Sequence, residues 1–324
     1  MVSDCRIGFV GAGGVATRHA QMLREFAGVR LVAVTDPLPG RAERFAAAFG
    51  GDSVAGVTQL LAAGLDAVYV CVPPSAHGPI EEAVVADGLA MFVEKPLGAD
   101  EATAERVATA VGRAGTITAV GHHWRYADTV RHAQQLLAGR EIRIVLGSWL
   151  DRVPPVSWWT RRRLSGGQVV EQAVHVLDLA RLLAGEVTRV CAMAGGQLAD
   201  PEADIDAATA AVLRFTSGAV GTLAATCVLR GKHRAGLEIY ADDLELSITE
   251  NGMRVRDGRD DVRLWSVDPD IAKRAADAAF VDAVRGRAND IRVTYDEALR
   301  THRLACAVAA SAVRHEGEHN DAGI

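Results

Sequence analysis

From residue 4 to about 120, short runs of consecutive apolar, β-branched residues alternate with alanine-rich stretches of helical periodicity. Residues 5–10, 31–35, 67–72, 90–93 and 117–120 read as strands, and 17–26, 41–49, 75–86 and 101–113 as helices. Strands apolar on both faces that alternate with helices predict parallel βαβ units with a covered sheet. The rhythm changes after residue 122. A helix (129–138) and a strand (142–150) lead into a segment rich in Pro, Trp and Arg, followed by a helix over 167–183. Strand-like runs at 187–193, 207–215, 220–228, 237–240 and 244–249 are then separated by turn signals, which suggests antiparallel pairing. Helices are expected over 271–285 and 294–314. The pattern predicts an α/β chain in two parts: a doubly wound parallel sheet over 1–122, and an α+β domain with a largely antiparallel, open sheet over 123–324. The last helix is expected to pack back towards the first domain.

The 324 residues are 49% hydrophobic and 23% charged, enough to build a core in each part. The formal net charge of −6 disfavours a nucleic-acid or anionic-membrane partner, and the basic run Arg161-Arg162-Arg163 is too local to change that. Met1 to Asp4 carries no basic stretch and the apolar run 7–10 stops at Gly11, so neither a signal peptide nor a membrane span is expected. Five widely spaced cysteines with no CxxC pair point to a reduced, cytoplasmic protein.

Chemistry enters at the first strand–helix junction. Gly11-Ala12-Gly13-Gly14-Val15-Ala16 follows the first strand directly and fits G-x-G-x-x-A. The first glycine allows the tight turn, and the second lets the backbone approach a pyrophosphate. The small third residue permits close packing, and the helix N-terminus supplies free N–H groups for the anion. Asp36 ends the second strand, about 20 residues on, where its carboxylate can bind the adenosine ribose or, less informatively, cap the next helix. The order predicts a Rossmann domain that binds a dinucleotide through Gly11, Gly13, Gly14, Val15 and Asp36. Asp36 would repel a 2′-phosphate, so NAD is expected rather than NADP, although Arg41 and Arg44 lie close by.

Two further strand ends carry functional residues. Val72-Pro73-Pro74-Ser75-Ala76-His77 and Glu94-Lys95-Pro96 both fall at the carboxyl edge of the sheet, where ligands of open α/β sheets bind. Val72, Pro73, His77, Glu94 and Lys95 are therefore candidate cofactor contacts, and a desolvated Lys95 could also hold a substrate hydroxyl. Downstream, Gly166-Gly167-Gln168 opens a helix on which Glu171, His175 and Asp178 fall at i, i+4 and i+7. A buried histidine beside a carboxylate is a ready acid/base near neutral pH; it is equally a core histidine satisfied by Glu171.

These landmarks together resemble the Gfo/Idh/MocA family, named for glucose–fructose oxidoreductase and inositol dehydrogenase, over nearly the whole chain. The resemblance implies that Lys95 and His175 are the catalytic pair, assisted by Glu171, with a cis Lys95–Pro96 bond. It implies hydride exchange between NAD and a carbinol or ketone carbon of a sugar, cyclitol or related polyol. Two departures stand out: Glu171 occupies a position where many members have Asp, and Ser165 replaces the first residue of a glycine triplet.

Lys95, Trp158, Glu171 and His175 are the expected substrate contacts, and Arg125 is a candidate cofactor contact. His122 and His123 are adjacent rather than at helical spacing, so no metal is expected. A homodimer or homotetramer is expected, because Ala210, Val212, Ala219, Thr222, Ala224 and Thr226 suggest a flat face of small residues. Two alternatives remain: an enzyme that oxidises its substrate transiently on tightly held NAD, as in elimination or glycoside cleavage, and a catalytically silent dinucleotide-binding regulator.

Overall fold

The computed structural model describes residues 4–258 and 261–316. The chain divides into two compact units that are not contiguous in sequence: 1–98, 102–126 and 270–299 form one, and 99–101, 127–269 and 300–324 the other. The sequence reading instead assigns all of 123–324 to a second domain. Residues 270–299 follow a sheet-rich segment, and only their tertiary packing assigns them to the first unit.

The first unit holds a six-stranded, wholly parallel sheet. Its strands are β1 (Cys5–Val10), β2 (Val29–Thr35), β3 (Asp52–Ser53), β4 (Ala67–Val70), β5 (Ala90–Val93) and β6 (Thr118–Val120), in the order 3-2-1-4-5-6. The order reverses between β1 and β4, which opens a crevice at the carboxyl ends of these strands. Helices α1 (Gly14–Leu23), α2 (Arg41–Phe49), α3 (Val57–Leu61), α4 (Pro79–Ala86) and α5 (Glu101–Ala114) make the crossovers. All four residues of β4 are buried, which only a sheet covered on both faces allows. One face carries a row of rings: Phe9 stacks on Tyr69 at 5.1 Å and Tyr69 on Phe92 at 4.8 Å. The edge of Phe280 closes the row at 5.5 Å from Tyr69. The two-residue β3 and the short α3 carry too little pattern to be expected from sequence.

The second unit is built on an eight-stranded sheet. Its strands are β7 (Ile142–Leu150), β8 (Val187–Gly195), β9 (Ala208–Phe215), β10 (Val220–Thr226), β11 (Arg234–Ala241), β12 (Leu244–Thr249), β13 (Gly252–Asp257) and β14 (Asp261–Ser266). The spatial order is 14-13-12-11-7-10-9-8, antiparallel throughout except for the parallel β7–β10 pair. The helices of this part of the chain are α6 (Asp128–Leu137), α7 (Arg162–Ser165), α8 (Val174–Ala184), α9 (Pro269–Val284) and α10 (Tyr295–Glu316). Of these, α9 from Asp270 onward belongs to the first unit, and α10 passes from the first unit into the second at Arg300.

Helix α8 lies against the sheet so closely that a side chain at Gly147 on β7 would stand 2.8 Å from Val176. On β9 buried and exposed residues alternate strictly, leaving Ala208, Ala210, Val212 and Arg214 on the open face. Val220, Thr222 and Ala224 of β10 face the same way. Ala219 does not, being 2% exposed, so it leaves the expected apolar face. It lies in the turn before β10, where alternation had not begun. Strands β13 and β14 were not expected, because charged residues interrupt their apolar positions. Among the described residues no helix is long and apolar enough to cross a membrane.

Candidate active site

In the first unit the glycine loop closes as its sequence requires. Gly11 has φ +91°, and a Cβ there would lie 2.2 Å from the Cys71 carbonyl oxygen, so no other residue fits the β1–β4 crevice. Helix α1 begins at Gly14 with Gly13 as its N-cap and no side chain closing it. Its first N–H groups therefore remain for an anion, and the space above Gly13 and Gly14 is open. Val15 is exposed beside them, and Ala16 is fully buried against the sheet. Asp36 accepts the Ala12 N–H at 2.8 Å through one oxygen and the Leu38 N–H at 2.8 Å through the other. It thus ties the end of β2 to the loop while keeping lone pairs for a ribose. These residues fit a dinucleotide.

At the next strand ends, Val72 and Pro73 are half-buried. His77 turns inward: its side chain has no accessible surface, and its Nδ1 meets Glu81, whose second oxygen accepts the Gly78 N–H at 2.6 Å. In this structure His77 pins the turn before α4 and presents nothing to solvent. Lys95 is half-buried and is followed by a cis peptide bond to Pro96. Glu94 likewise faces inward, with His19 at 3.0 Å from one oxygen and the Lys95 N–H at 3.1 Å from the other. Arg125 is buried and donates to Glu297 at 2.9 Å.

In the second unit, Gly166 and Gly167 both have positive φ, at +77° and +88°. Ser165, fully buried, accepts the Gly167 N–H at 3.0 Å and donates to the Arg161 carbonyl, which fixes the turn where a third glycine is missing. The following turn, Val169–Ala173, is a π-helix and not the α-helix expected. Glu171 accepts the indole N–H of Trp159 at 2.6 Å. His175 is 6% exposed, and its ring stacks on Trp149 of β7 with centroids 5.8 Å apart. The ammonium of Lys232 sits 5.1 Å from the same indole. Asp178 follows one turn later on the same helix. Almost fully buried, it accepts the Thr301 hydroxyl at 2.7 Å.

The tryptophan pair divides. Trp158 is partly exposed, whereas Trp159 is fully buried. The arginine run is largely neutralised within the chain: Arg161 pairs with Asp200 and Glu202, and Arg162 with Asp206 at 2.6 Å. Sequence reading missed Trp149, Trp159, Lys232 and His19. The Trp158-Trp159 pair shortly before the Gly166-Gly167 turn was an available signal for Trp159; nothing local marks the other three. Among the described residues no group of three His, Cys, Asp or Glu side chains is placed to hold a metal ion.

Comparison with known proteins decides the family. Residues 5–122 match the oxidoreductase family with an NAD-binding Rossmann fold, and residues 106–247 match the GFO/IDH/MocA C-terminal domain. The scyllo-inositol 2-dehydrogenase (NAD(+)) of Bacillus subtilis (strain 168) is 30% identical over 237 residues, covering 70% of this chain and 68% of that protein. The chain belongs to the Gfo/Idh/MocA family. The inositol 2-dehydrogenase of Rhizobium meliloti (strain 1021) is also 30% identical, over 185 residues that span 56% of this chain and just over half, 55%, of that relative. A levoglucosan dehydrogenase in complex with NADH and levoglucosan shares the fold. Its TM-score is 0.86 at 20% identity, covering 96% of this chain and 98% of that one. As a Gfo/Idh/MocA oxidoreductase the chain takes NAD as its cofactor, in keeping with the loop and Asp36 geometry.

Proposed function

We propose that this protein is an NAD-dependent dehydrogenase of a cyclitol, sugar or related polyol, acting at one carbinol carbon and, in reverse, at the corresponding ketone. One observation carries the reading: Lys95 leaves the carboxyl edge of a dinucleotide-binding sheet directly after an anchored Glu94. His175 adds to it, since a Trp149 wall fixes its ring plane on a helix whose preceding turn presents a carboxylate.

NAD supplies hydride exchange when bound; Gly11, Gly13, Gly14, Val15, Asp36, Val72 and Pro73 are the residues proposed to hold it. His77, Glu94 and Arg125 act behind them. In oxidation His175 takes the hydroxyl proton, and Lys95 donates a hydrogen bond to the same oxygen as negative charge develops there. Glu171, held by Trp159, orients His175 or a neighbouring substrate hydroxyl, and Trp158 offers an apolar face to the sugar ring. The dehydrogenases to which the chain is similar act on inositols and on levoglucosan, which supports the substrate class.

A panel of inositols, anhydrosugars and ketosugars assayed with NAD and NADH tests the reading. Turnover with a matching change in NADH absorbance supports it. Product formation with no such change would move the assignment to transient oxidation on held NAD, and NAD binding with no product to a silent regulator. Lys95→Met and His175→Ala should each lower kcat by roughly 10²–10⁴-fold, the loss expected for a positioned acid/base or charge stabiliser. His175→Ala retaining more than a third of the rate would make the histidine structural. We also propose a cytoplasmic homo-oligomer, built on the open face of the eight-stranded sheet.

A further inference from the structure

His19 has a carboxylate at each ring nitrogen. It lies on the inner side of α1, 8% exposed, with Nδ1 2.7 Å from Asp277 Oδ1 on α9 and Nε2 3.0 Å from Glu94 Oε1 beyond β5. Tyr69 of β4 donates to the same Asp277 oxygen at 3.1 Å. Ionised carboxylates only accept, so both ring nitrogens must donate, and only the imidazolium carries two N–H groups. The ring is wedged between Tyr69 and Phe92, with centroids 5.2 and 4.9 Å away. Gly121 leaves room for the partner: a Cβ there would stand 2.5 Å from Glu94 Oε1.

We propose that His19 is a positioning residue of the active site. A permanent imidazolium clamped between Asp277 and Glu94, it holds Glu94 so that the second carboxylate oxygen fixes the Lys95 N–H and the direction in which Lys95 leaves β5. The inference rests on the reading of Lys95 given above.

Burial opposes charge on His19, yet Asp277 and Glu94 outweigh it and raise its pKa to about 10. Burial likewise opposes charge on Glu94, and the His19 contact overrides it, holding the carboxyl below its ordinary range. Arg18 of α1, Lys273 of α9 and His123 beyond β6 line a small space of about 20 Å³ beside the pair, and the Cys71 thiol beyond β4, held protonated by burial, faces both carboxylates. His123 does not compete as a cation. Burial first, and then Lys273 and Arg18, bring its pKa down to about 4 against the pull of Glu94.

The test combines nuclear magnetic resonance with kinetics on the full chain. In protein labelled with ¹⁵N-histidine at pH 8.5, both His19 nitrogens should carry protons, whereas one bare nitrogen would overturn the proposal. His19→Asn should lower kcat by roughly ten- to a hundredfold, as a displaced catalytic group does, while the Kd for NADH stays within about threefold. Its crystal structure should show Glu94 withdrawn from the Lys95 N–H. His19→Asn retaining more than half of kcat while Lys95→Met is inactive would sink the positioning role. An active Lys95→Met would instead sink the reading of Lys95 itself. If His19→Asn does not fold, Asp277→Asn keeps the shape and removes one charge. It should leave His19 singly protonated at pH 8.5 and lower kcat less severely; a His19 still doubly protonated there would overturn the clamp.

Discussion

Asp36 binds the backbone at Ala12 and Leu38, so its carboxylate is fixed before any ligand arrives. A fixed negative charge at a ribose site repels a 2′-phosphate, and NAD should bind at least several-fold more tightly than NADP. Fluorescence titration with NADH and NADPH checks this, and Asp36→Ala should narrow the preference. A wild type that prefers NADPH would mean that Arg41 or Arg44 overrides the carboxylate. Trp159 offers a second single-residue test. Trp159→Phe preserves most of the buried ring but takes the indole donor from Glu171. If Glu171 acts with His175, kcat/KM should fall roughly tenfold with NADH affinity unchanged. Equal kinetics would confine Trp159 to packing. Asp36 was legible from sequence because its position after β2 is a local matter. Trp159 was not, because its partner lies across a π-turn that periodicity alone reads as α-helix.

Most elements followed from local pattern, since apolar runs bounded by glycine leave little choice of strand, and alanine-rich periodic stretches little choice of helix. The failures share a cause. In strands β13 and β14 Arg and Asp fall among the apolar residues, and the strands are completed by long-range pairing, β13 along β12 and β14 along β13. At the helix α8, Asp178 looks like part of a polar catalytic stripe, yet it serves to hold α10. Asp178 accepts from the Thr301 hydroxyl, and Arg181, buried and paired with Glu186, also contacts that hydroxyl. Thr301→Val should therefore destabilise the protein by about 1.5–3 kcal/mol, the range for a lost hydrogen bond to a charged group, with NADH affinity unaltered. Urea unfolding followed by circular dichroism measures it. A change below about 0.5 kcal/mol would show that the network closes without the hydroxyl.

At the scale of the whole molecule, charge burial ties stability to pH. His19 has its pKa raised from an ordinary 6.5 to about 10. Its contribution is then fully present below pH 6.5 and is lost as pH rises through about 10. His123 has the opposite sign: held neutral, it costs stability as pH falls from 6.5 towards about 4. Thermal melts should show the wild type losing stability between pH 6.5 and 10 more steeply than His19→Asn; parallel curves would rule out a charged His19. The open sheet face supports a second expectation. Val212, 57% exposed, shares the open face with Ala208, Ala210, Val220, Thr222 and Ala224, with Arg214 at its end, and an exposed row of small and apolar residues is the kind of surface that pairs with a copy of itself. Light scattering at micromolar concentration should give a dimer or tetramer, and a sharp monomer mass would refute it.

The sequence by itself determined the parallel sheet, the dinucleotide loop, the antiparallel character of the later strands and the family. Each depends on residues adjacent in the chain: a period of two or 3.6, a glycine where φ must be positive, an acid at a strand end. Only the tertiary structure decided which polar residues are partners. His19 meets Asp277 from 258 positions away, Arg161 and Arg162 meet an acidic segment some forty residues downstream, and residues 270–299 join the first unit. Burying a charge demands a counter-charge or a hydrogen bond, but the demand can be met from any distance along the chain. Local pattern therefore marked candidate positions, and long-range packing decided how each is held.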